Sequence, residues 1–147
     1  MITLAPLTPE NHEAVRALAV RPDQRHLVAS VDKSLADAYV WRAAQCRGAF
    51  HDDAAVGFVM IFPYEVEGER LVNIVRLLVD ASRQGQGLGR ALLADTIAWI
   101  QALQPPADRI RISTLPENEV ALTLYRQYGF EGDAIEDGEI ALYRPAR

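Results

Sequence analysis

The stretch Val72-Asn73-Ile74-Val75-Arg76-Leu77-Leu78-Val79 carries apolar side chains at both odd and even positions. Successive residues of a strand point to opposite faces, so a run that is apolar on both belongs in the middle of a covered sheet. It leads into Arg83-Gln84-Gly85-Gln86-Gly87-Leu88-Gly89-Arg90, after which the period becomes helical. Leu93, Ile97 and Ile100 fall at i, i+4 and i+7, Leu92 and Leu103 widen the stripe, and Arg90, Gln101 and Gln104 occupy the other side. Buried strand, glycine turn and amphipathic helix, in that order, define the centre of the fold.

The rest of the chain supplies elements to pack around that unit. Residues 2–7 read as an edge strand. Thr8-Pro9-Glu10 reads as a helix start with Thr8 as cap, an apolar face of Ala14, Val15, Leu18 and Ala19, and a stop at Arg21-Pro22. Residues 34–41 read as a second helix with Leu35, Ala38 and Tyr39 on its covered side. Residues 47–50 and 55–64 read as strands joined at His51-Asp52-Asp53, and residues 65–69 as a turn into the central strand at 71–80. Pro105-Pro106 ends the long helix, and residues 109–113 alternate like a strand with one solvated face. A helix over 118–128 stops at Gly129, and closing strands at 130–135 and 139–143 flank an Asp137-Gly138 turn. The expected fold class is α+β: one domain over 1–147 with a mixed, mostly antiparallel sheet flanked by about four helices.

Composition narrows the function. Half of the 147 residues are hydrophobic, and a chain of this length buries roughly two-thirds of its unfolded surface, so neither metal nor disulfide is needed to hold a core. The 15 basic and 20 acidic residues give a net charge of -5, which argues against generic nucleic-acid binding and favours a cationic partner. Cys46 is the only cysteine, so no disulfide framework or thiolate metal site is expected, and a reducing cytoplasm is the expected location. Residues 1–10 lack a charged-then-apolar leader pattern and no apolar run approaches ~18 residues, so no association with a membrane is expected. His12, His26 and His51 sit at no ligand spacing, and Ser113 and Thr114 have no histidine partner in a recognisable triad.

The glycine turn carries the first chemical signal. A glycine-rich loop opening a helix points main-chain N–H groups outward, where the helix dipole also favours a phosphate. A dinucleotide fingerprint would need a third glycine where Arg90 or Leu92 stands, and a P-loop would need Gly-Lys-Ser/Thr. What remains is Gln84-x-x-Gly87-x-Gly89, against the alternative of a connection with no ligand.

About 30 residues on comes Pro116-Glu117-Asn118-Glu119-Val120-Ala121-Leu122-Thr123-Leu124-Tyr125-Arg126-Gln127-Tyr128-Gly129-Phe130. The loop resembles the Q/R-x-x-G-x-G/A signature of the GNAT superfamily of acetyl-CoA-dependent N-acetyltransferases, and this second segment resembles its N-x-x-A-x-x-L-Y-x-x-x-G-F signature. The resemblance runs from about Val56 to the end. Leu27-Val28-Ala29, Ser34-Leu35-Ala36-Asp37-Ala38-Tyr39, residues 52–60, Arg76-Leu77-Leu78-Val79-Asp80 and Asp137-Gly138-Glu139 are similar to the bacterial spermine/spermidine acetyltransferase branch.

The resemblance implies acetyl-CoA as cosubstrate, no metal, and a small, cationic amine such as spermidine or spermine as acceptor, with a homodimer as the superfamily habit. It implies that main-chain amides of Gln84, Gly85, Gln86, Gly87, Leu88 and Gly89 hold the diphosphate, with Arg83, Arg90 and Arg126 as outer phosphate contacts. Leu78 and Val79 would lie at the thioester, one N–H stabilising the oxyanion. Asn118 would touch the pantetheine, cap its helix, or both. Tyr125 would be the general acid on the departing thiolate. Glu65 and Glu139 are the candidate substrate carboxylates. Val75 and Arg76 stand where some polyamine enzymes place a glutamate, which leaves the base open between a water relay, Glu139 and Glu65. An acceptor of another kind, whether amino acid, antibiotic amine or protein N-terminus, and a non-catalytic acyl-CoA-binding module are the competing readings.

Overall fold

The computed structural model describes all of residues 1–147. Seven strands form one sheet: β1 (Thr3–Pro6), β2 (Gln45–His51), β3 (Ala54–Val66), β4 (Glu69–Val79), β5 (Arg109–Thr114), β6 (Glu131–Glu136) and β7 (Glu139–Pro145), in the order β1-β2-β3-β4-β5-β7-β6. Every neighbouring pair is antiparallel except β4 and β5. The β2–β3, β3–β4 and β6–β7 hairpins turn through Asp52-Asp53, Glu67-Gly68 and Asp137-Gly138, each pair at positive φ, the backbone that tight hairpin turns demand. The one parallel pair needs a crossover, and α3 (Leu88–Gln101) makes it.

Two cores explain why the central strand is apolar on both sides. Leu92, Leu93, Ile97 and Ile100 of α3, with Leu122 and Tyr125 of α4 (Glu119–Gln127), pack against Val72, Ile74, Ile110 and Ile112 on one face. On the other face Leu78, Phe58 and Met60 meet Val15, Leu18 and Val31, from α1 (His12–Arg16), the residues after it and α2 (Val31–Val40). Burying one such side chain stabilises the fold by about 1.5–3 kcal/mol. β4 feeds both cores and anchors the sheet.

The early helices differ from expectation. Thr8 and Asn11 bond reciprocally, Thr8 N–H to Asn11 Oδ1 at 2.7 Å and Asn11 N–H to Thr8 Oγ1 at 3.2 Å. That closed turn delays α1 to His12, and α1 ends at Arg16, so Ala19 lies beyond it. α2 starts at Val31 because Ser30 caps it, accepting from Lys33 N–H at 3.1 Å. Its covered face holds Val31, Ser34, Leu35 and Ala38, while Tyr39 is 71% exposed.

The connection between β4 and β5 positions the site. Their pairing runs only from Leu71↔Arg109 to Ile74↔Ile112. There the β3–β4 ladder shifts: Ile61 faces Ile74 and Met60 faces Arg76, so Val75 is an extra residue, and a bulge of this kind bends and twists its strand. Beyond it β4 continues along β3 to Val79, while β5 stays with β7. The two strands part and leave a wedge-shaped opening between them.

The far end of β4 is tied down by Asp80. Its carboxylate accepts from Ala19 N–H at 2.9 Å, from Ser82 N–H at 3.1 Å and from the Ser82 hydroxyl. Burial alone would raise its pKa, but the Ser82 hydroxyl and the amides of Ala19, Ser82 and Ala81 outweigh burial and hold it below the usual carboxylate value. The stabilisation is therefore complete above the unfolded value and is lost as the pH falls through the lower folded one. Asp80→Ala is expected to cost about 1 kcal/mol at neutral pH, and the difference from wild type should shrink in acid, below the ordinary carboxylate pKa of 3.8. Denaturant unfolding of both proteins at neutral and acid pH measures it; a pH-independent difference would exclude the carboxylate.

Candidate active site at the parted strands

The direction of each main-chain group in the opening follows from the ladder. Asp80 N–H donates to Val56 O at 2.9 Å. With the register Leu78↔Phe58 and Arg76↔Met60, these residues bond to β3, and Leu77 and Val79 turn their N–H and C=O the opposite way. The close approach at Gly57 agrees, since a Cβ there would stand 2.8 Å from Leu78 O. Val79 O duly accepts from Gln84 Nε2 at 3.2 Å. Of the two expected thioester contacts, Val79 thus offers its N–H to the opening. Leu78 is a correction: its main-chain groups belong to the β3 ladder and its side chain lies in the second core, 3% exposed. Leu77 joins Val79, and only the pairing register could have singled it out.

The glycine turn lies at the wide end of the opening. Gly85 and Gly87 both have φ of +79°, and a Cβ on either would meet nothing within 4 Å. Glycine is needed here for the left-handed backbone and a bare approach, not for packing. Gly87 caps α3 without any side-chain hydrogen bond, so the first-turn amides from Leu88 onward have no partner from a capping side chain. Gln84 itself is half-buried and committed to the fold, bonding Val79 O and, at 2.9 Å, Gln24 Oε1. Gln86 and Arg90 are exposed and Arg83 is half-buried.

A groove of about 470 Å³ runs beside α4 from Arg90, lined also by Glu119, Val120, Thr123, Leu124 and Gln127. Arg90 donates to Gln127 Oε1 at 2.7 Å and its guanidinium stands 5.7 Å from the Tyr128 ring centre. Val120, Thr123 and Gln127 share one face of α4 by their spacing, and only the fold brings that face beside Arg90. Arg126, on the same helix, is exposed outside this groove.

Further polar groups gather at the end of β5 and the start of α4. Asn118 caps α4, accepting from Ala121 N–H at 3.3 Å, while its Nδ2 donates to Thr114 Oγ1 at 3.2 Å. This bond ties the helix start to the end of β5. Tyr125 is 8% exposed and packs edge-on to Phe130 at 6.2 Å. Burial, helped by the charge of Glu139, pushes its phenol up to about 12. Glu139 Oε1 accepts from Ser113 Oγ at 2.7 Å and forms no ion pair.

Glu139 and Ser113 also line a cavity of about 510 Å³ on the sheet face that carries α1 and α2. Arg25, His26, Asn73, Arg76, Arg111, Glu136 and Asp137 complete its polar wall. Arg111 donates to Glu136 at 3.0 Å and to Asn73 at 3.2 Å, and the Tyr143 hydroxyl donates to Glu136 at 3.1 Å. His26 Nε2 lies 3.3 Å from Glu117 Oε2, across the mouth of the opening. Glu65 is an exposed residue of β3 outside this cavity, and its hairpin neighbour Glu69 is held by Arg109 through two bonds of 2.8 and 2.9 Å. Cys46 packs against the second core and burial pushes its thiol up to about 11, the opposite of an activated nucleophile. No group of three or more His, Cys, Asp or Glu side chains converges to hold a metal ion, and no helix is long and apolar enough to cross a membrane.

Comparison with known proteins fits this geometry. The chain is similar in fold to a GNAT family acetyltransferase from Elizabethkingia anophelis with acetyl-CoA bound, at 22% identity and TM-score 0.69 over 98% of this chain and 97% of that one. It is similar to an acetyltransferase from Thermus thermophilus, at 22% identity and TM-score 0.73 over 99% and 97%. It is also similar to the ribosomal-protein-S18-alanine N-acetyltransferase from Escherichia coli, at 19% identity and TM-score 0.70 over 99% and 94%. No curated protein matches the sequence. The model of the acetyltransferase (GNAT) family matches residues 28–130, well over half of the chain, and the protein therefore belongs to the GNAT family of acetyltransferases.

Proposed function

We propose that this protein transfers the acetyl group of acetyl-CoA to the nitrogen of a small primary amine, directly and within a ternary complex. The observation that carries the reading is the parting of β4 from β5. It frees the Val79 N–H beside the glycine turn, while Ser113, near the end of β5, holds Glu139, whose charge reaches Tyr125.

Acetyl-CoA supplies an activated acyl carbon and a thiolate leaving group. The cradle amides from Gly85 to Gly89 suit its diphosphate, and the groove beside α4 suits the chain behind it. Val79 N–H donates to the thioester oxygen as charge gathers there, and such a donor can lower the barrier by ~3 kcal/mol. The amine approaches from the cavity of Glu139 and Ser113. Glu139 takes a proton from the ammonium, the freed lone pair forms the new carbon–nitrogen bond, the carbon–sulfur bond breaks, Tyr125 gives its proton to sulfur, and the second nitrogen proton returns to the Tyr125 oxygen.

Charge couples the two proton movements. With its pKa near 12, the phenol keeps its proton throughout the neutral range, as a donor must. The same high value opposes transfer to a thiolate whose acid has a pKa of ~8.5. Glu139 is one cause of the rise. Once it accepts the amine proton its charge is gone, and Tyr125 becomes the stronger acid just when the thiolate leaves.

The acceptor is read here no more finely than a small amine. A polyamine such as spermidine would suit an anionic groove, and the acidic turn at Asp137 and Glu139 supports that expectation in part. Three arginines on the same cavity wall, Arg25, Arg76 and Arg111, weigh against it.

Tyr125→Phe is expected to lower kcat by ten-fold or more in a thiol-release assay, with coenzyme affinity by calorimetry unchanged. An unaltered kcat would remove Tyr125 from the reaction. Coenzyme binding with no acetylation of any amine would instead support a non-catalytic acyl-CoA-binding module. Glu139→Gln should lower kcat/KM for the amine by ~100-fold near neutral pH. That deficit should narrow as the pH approaches the acceptor's own pKa, where free amine needs no base. A deficit constant with pH would assign Glu139 to binding alone.

A further inference from the structure

We infer that the acceptor amine also bears an oxyanion, a carboxylate in the first place, held by Arg76 and Arg25 while Glu139 and Ser113 receive the amine. This rests on the acetyl-transfer reading and adds the acceptor's second charge to it.

The charges of the cavity are sorted, not mixed. Arg111 and Glu136 cancel one another at 3.0 Å, and Asn73 and Tyr143 complete that set. What remains is Arg25 and Arg76 against Asp137 and Glu139. Arg76 stands on β4, and Arg25 also lines a neighbouring cavity with Leu78 and Val28, which puts it on the β4 side. Asp137 and Glu139 belong to the β6–β7 turn, with β5 between. Two strand spacings, ~10 Å between backbones, are the least that separates the poles, since β4 and β5 part beyond Ile74. The reach of an arginine and a glutamate shortens that to the span of a small amino acid.

Arg76 has unused donors. A guanidinium presents five N–H groups, and this one meets only Val75 O at 3.1 Å and Asp37 Oδ2 at 3.2 Å. Its Nε is buried and has no partner. Asp37 is itself shared with Lys33 at 2.8 Å, so it neutralises Arg76 only in part. Arg25 is exposed and forms no ion pair. A carboxylate entering the cavity would meet a planar cation suited to paired hydrogen bonds. A second ammonium, as in a diamine, would meet the same cation with repulsion.

The test compares acceptors matched in amine and differing in acid: phenylalanine against phenethylamine, lysine against cadaverine, and β-alanine against ethylamine, with 2-aminoethylphosphonate and spermidine as further arms. The acid-bearing member of each pair is expected to have the higher kcat/KM by about 10- to 100-fold. Arg76→Gln should collapse that ratio towards one, with Arg76→Lys intermediate, while coenzyme affinity and Tm stay near wild type. Should Arg76→Gln fail to fold, Arg25→Gln carries the same ratio test. Preference for the phosphonate over β-alanine would make the anion a phosphorus oxyanion within the same site. Preference for phenethylamine, cadaverine or spermidine overturns the anion site and leaves acetyl transfer standing. An equal loss for both members of a pair in Arg76→Gln overturns it too. Turnover of no amine at all, with coenzyme bound, overturns the acetyl-transfer reading itself.

Discussion

One interrupted ladder governs the chemistry of this molecule. β4 and β5 are the only parallel neighbours, and they pair for four residues before Val75 enters as an extra residue in β4. A continuous ladder would consume every main-chain donor between them. Because the ladder stops, Val79 and Leu77 keep theirs, and a polar cleft opens through an otherwise apolar sheet. The two cores pack against the strands on either face of the sheet beside that cleft. The glycine turn, the α4 cap and the acidic turn between β6 and β7 are all placed relative to this one gap.

Much of the arrangement could be read from the chain. The doubly apolar β4 stretch, the glycine turn and the α3 stripe gave a strand–turn–helix unit, and the sheet is mixed and mostly antiparallel as expected. Asn118 and Gly129 bracket α4 as their residue types suggest. What stayed hidden depends on register or distant contact. Whether Leu78 or Val79 faces the gap is decided by a single residue of pairing phase, which no local pattern encodes. The expectation for Gln84 concerned its main-chain amide, and nothing local foretold that its side chain binds Val79 and Gln24. Glu65 and Glu139 both stand on acidic hairpins, with Glu139 set apart by its Asp-Gly-Glu context, and the strand order leaves the first outside the cavity and the second within it.

Electrostatics links the two halves of the site. Burial keeps Tyr125 protonated and Glu139 adds to that effect, so the carboxylate on one face of the sheet tunes the phenol packed on the other. Arg76 contributes a different asymmetry, since it sets a cation where a wholly acidic wall would have favoured polycations. The molecule's net negative charge therefore says little about this cavity, where local pairing decides the field.

Gln84 has a consequence beyond anchoring its loop. One side-chain amide grips both the terminal carbonyl of β4 and Gln24, and Gln24 immediately precedes Arg25 and His26. The glycine turn and the rim of the cavity that holds Glu139 thus hang from a common peg. Any displacement of one of these two segments must therefore either break a bond of that amide or carry its opposite along.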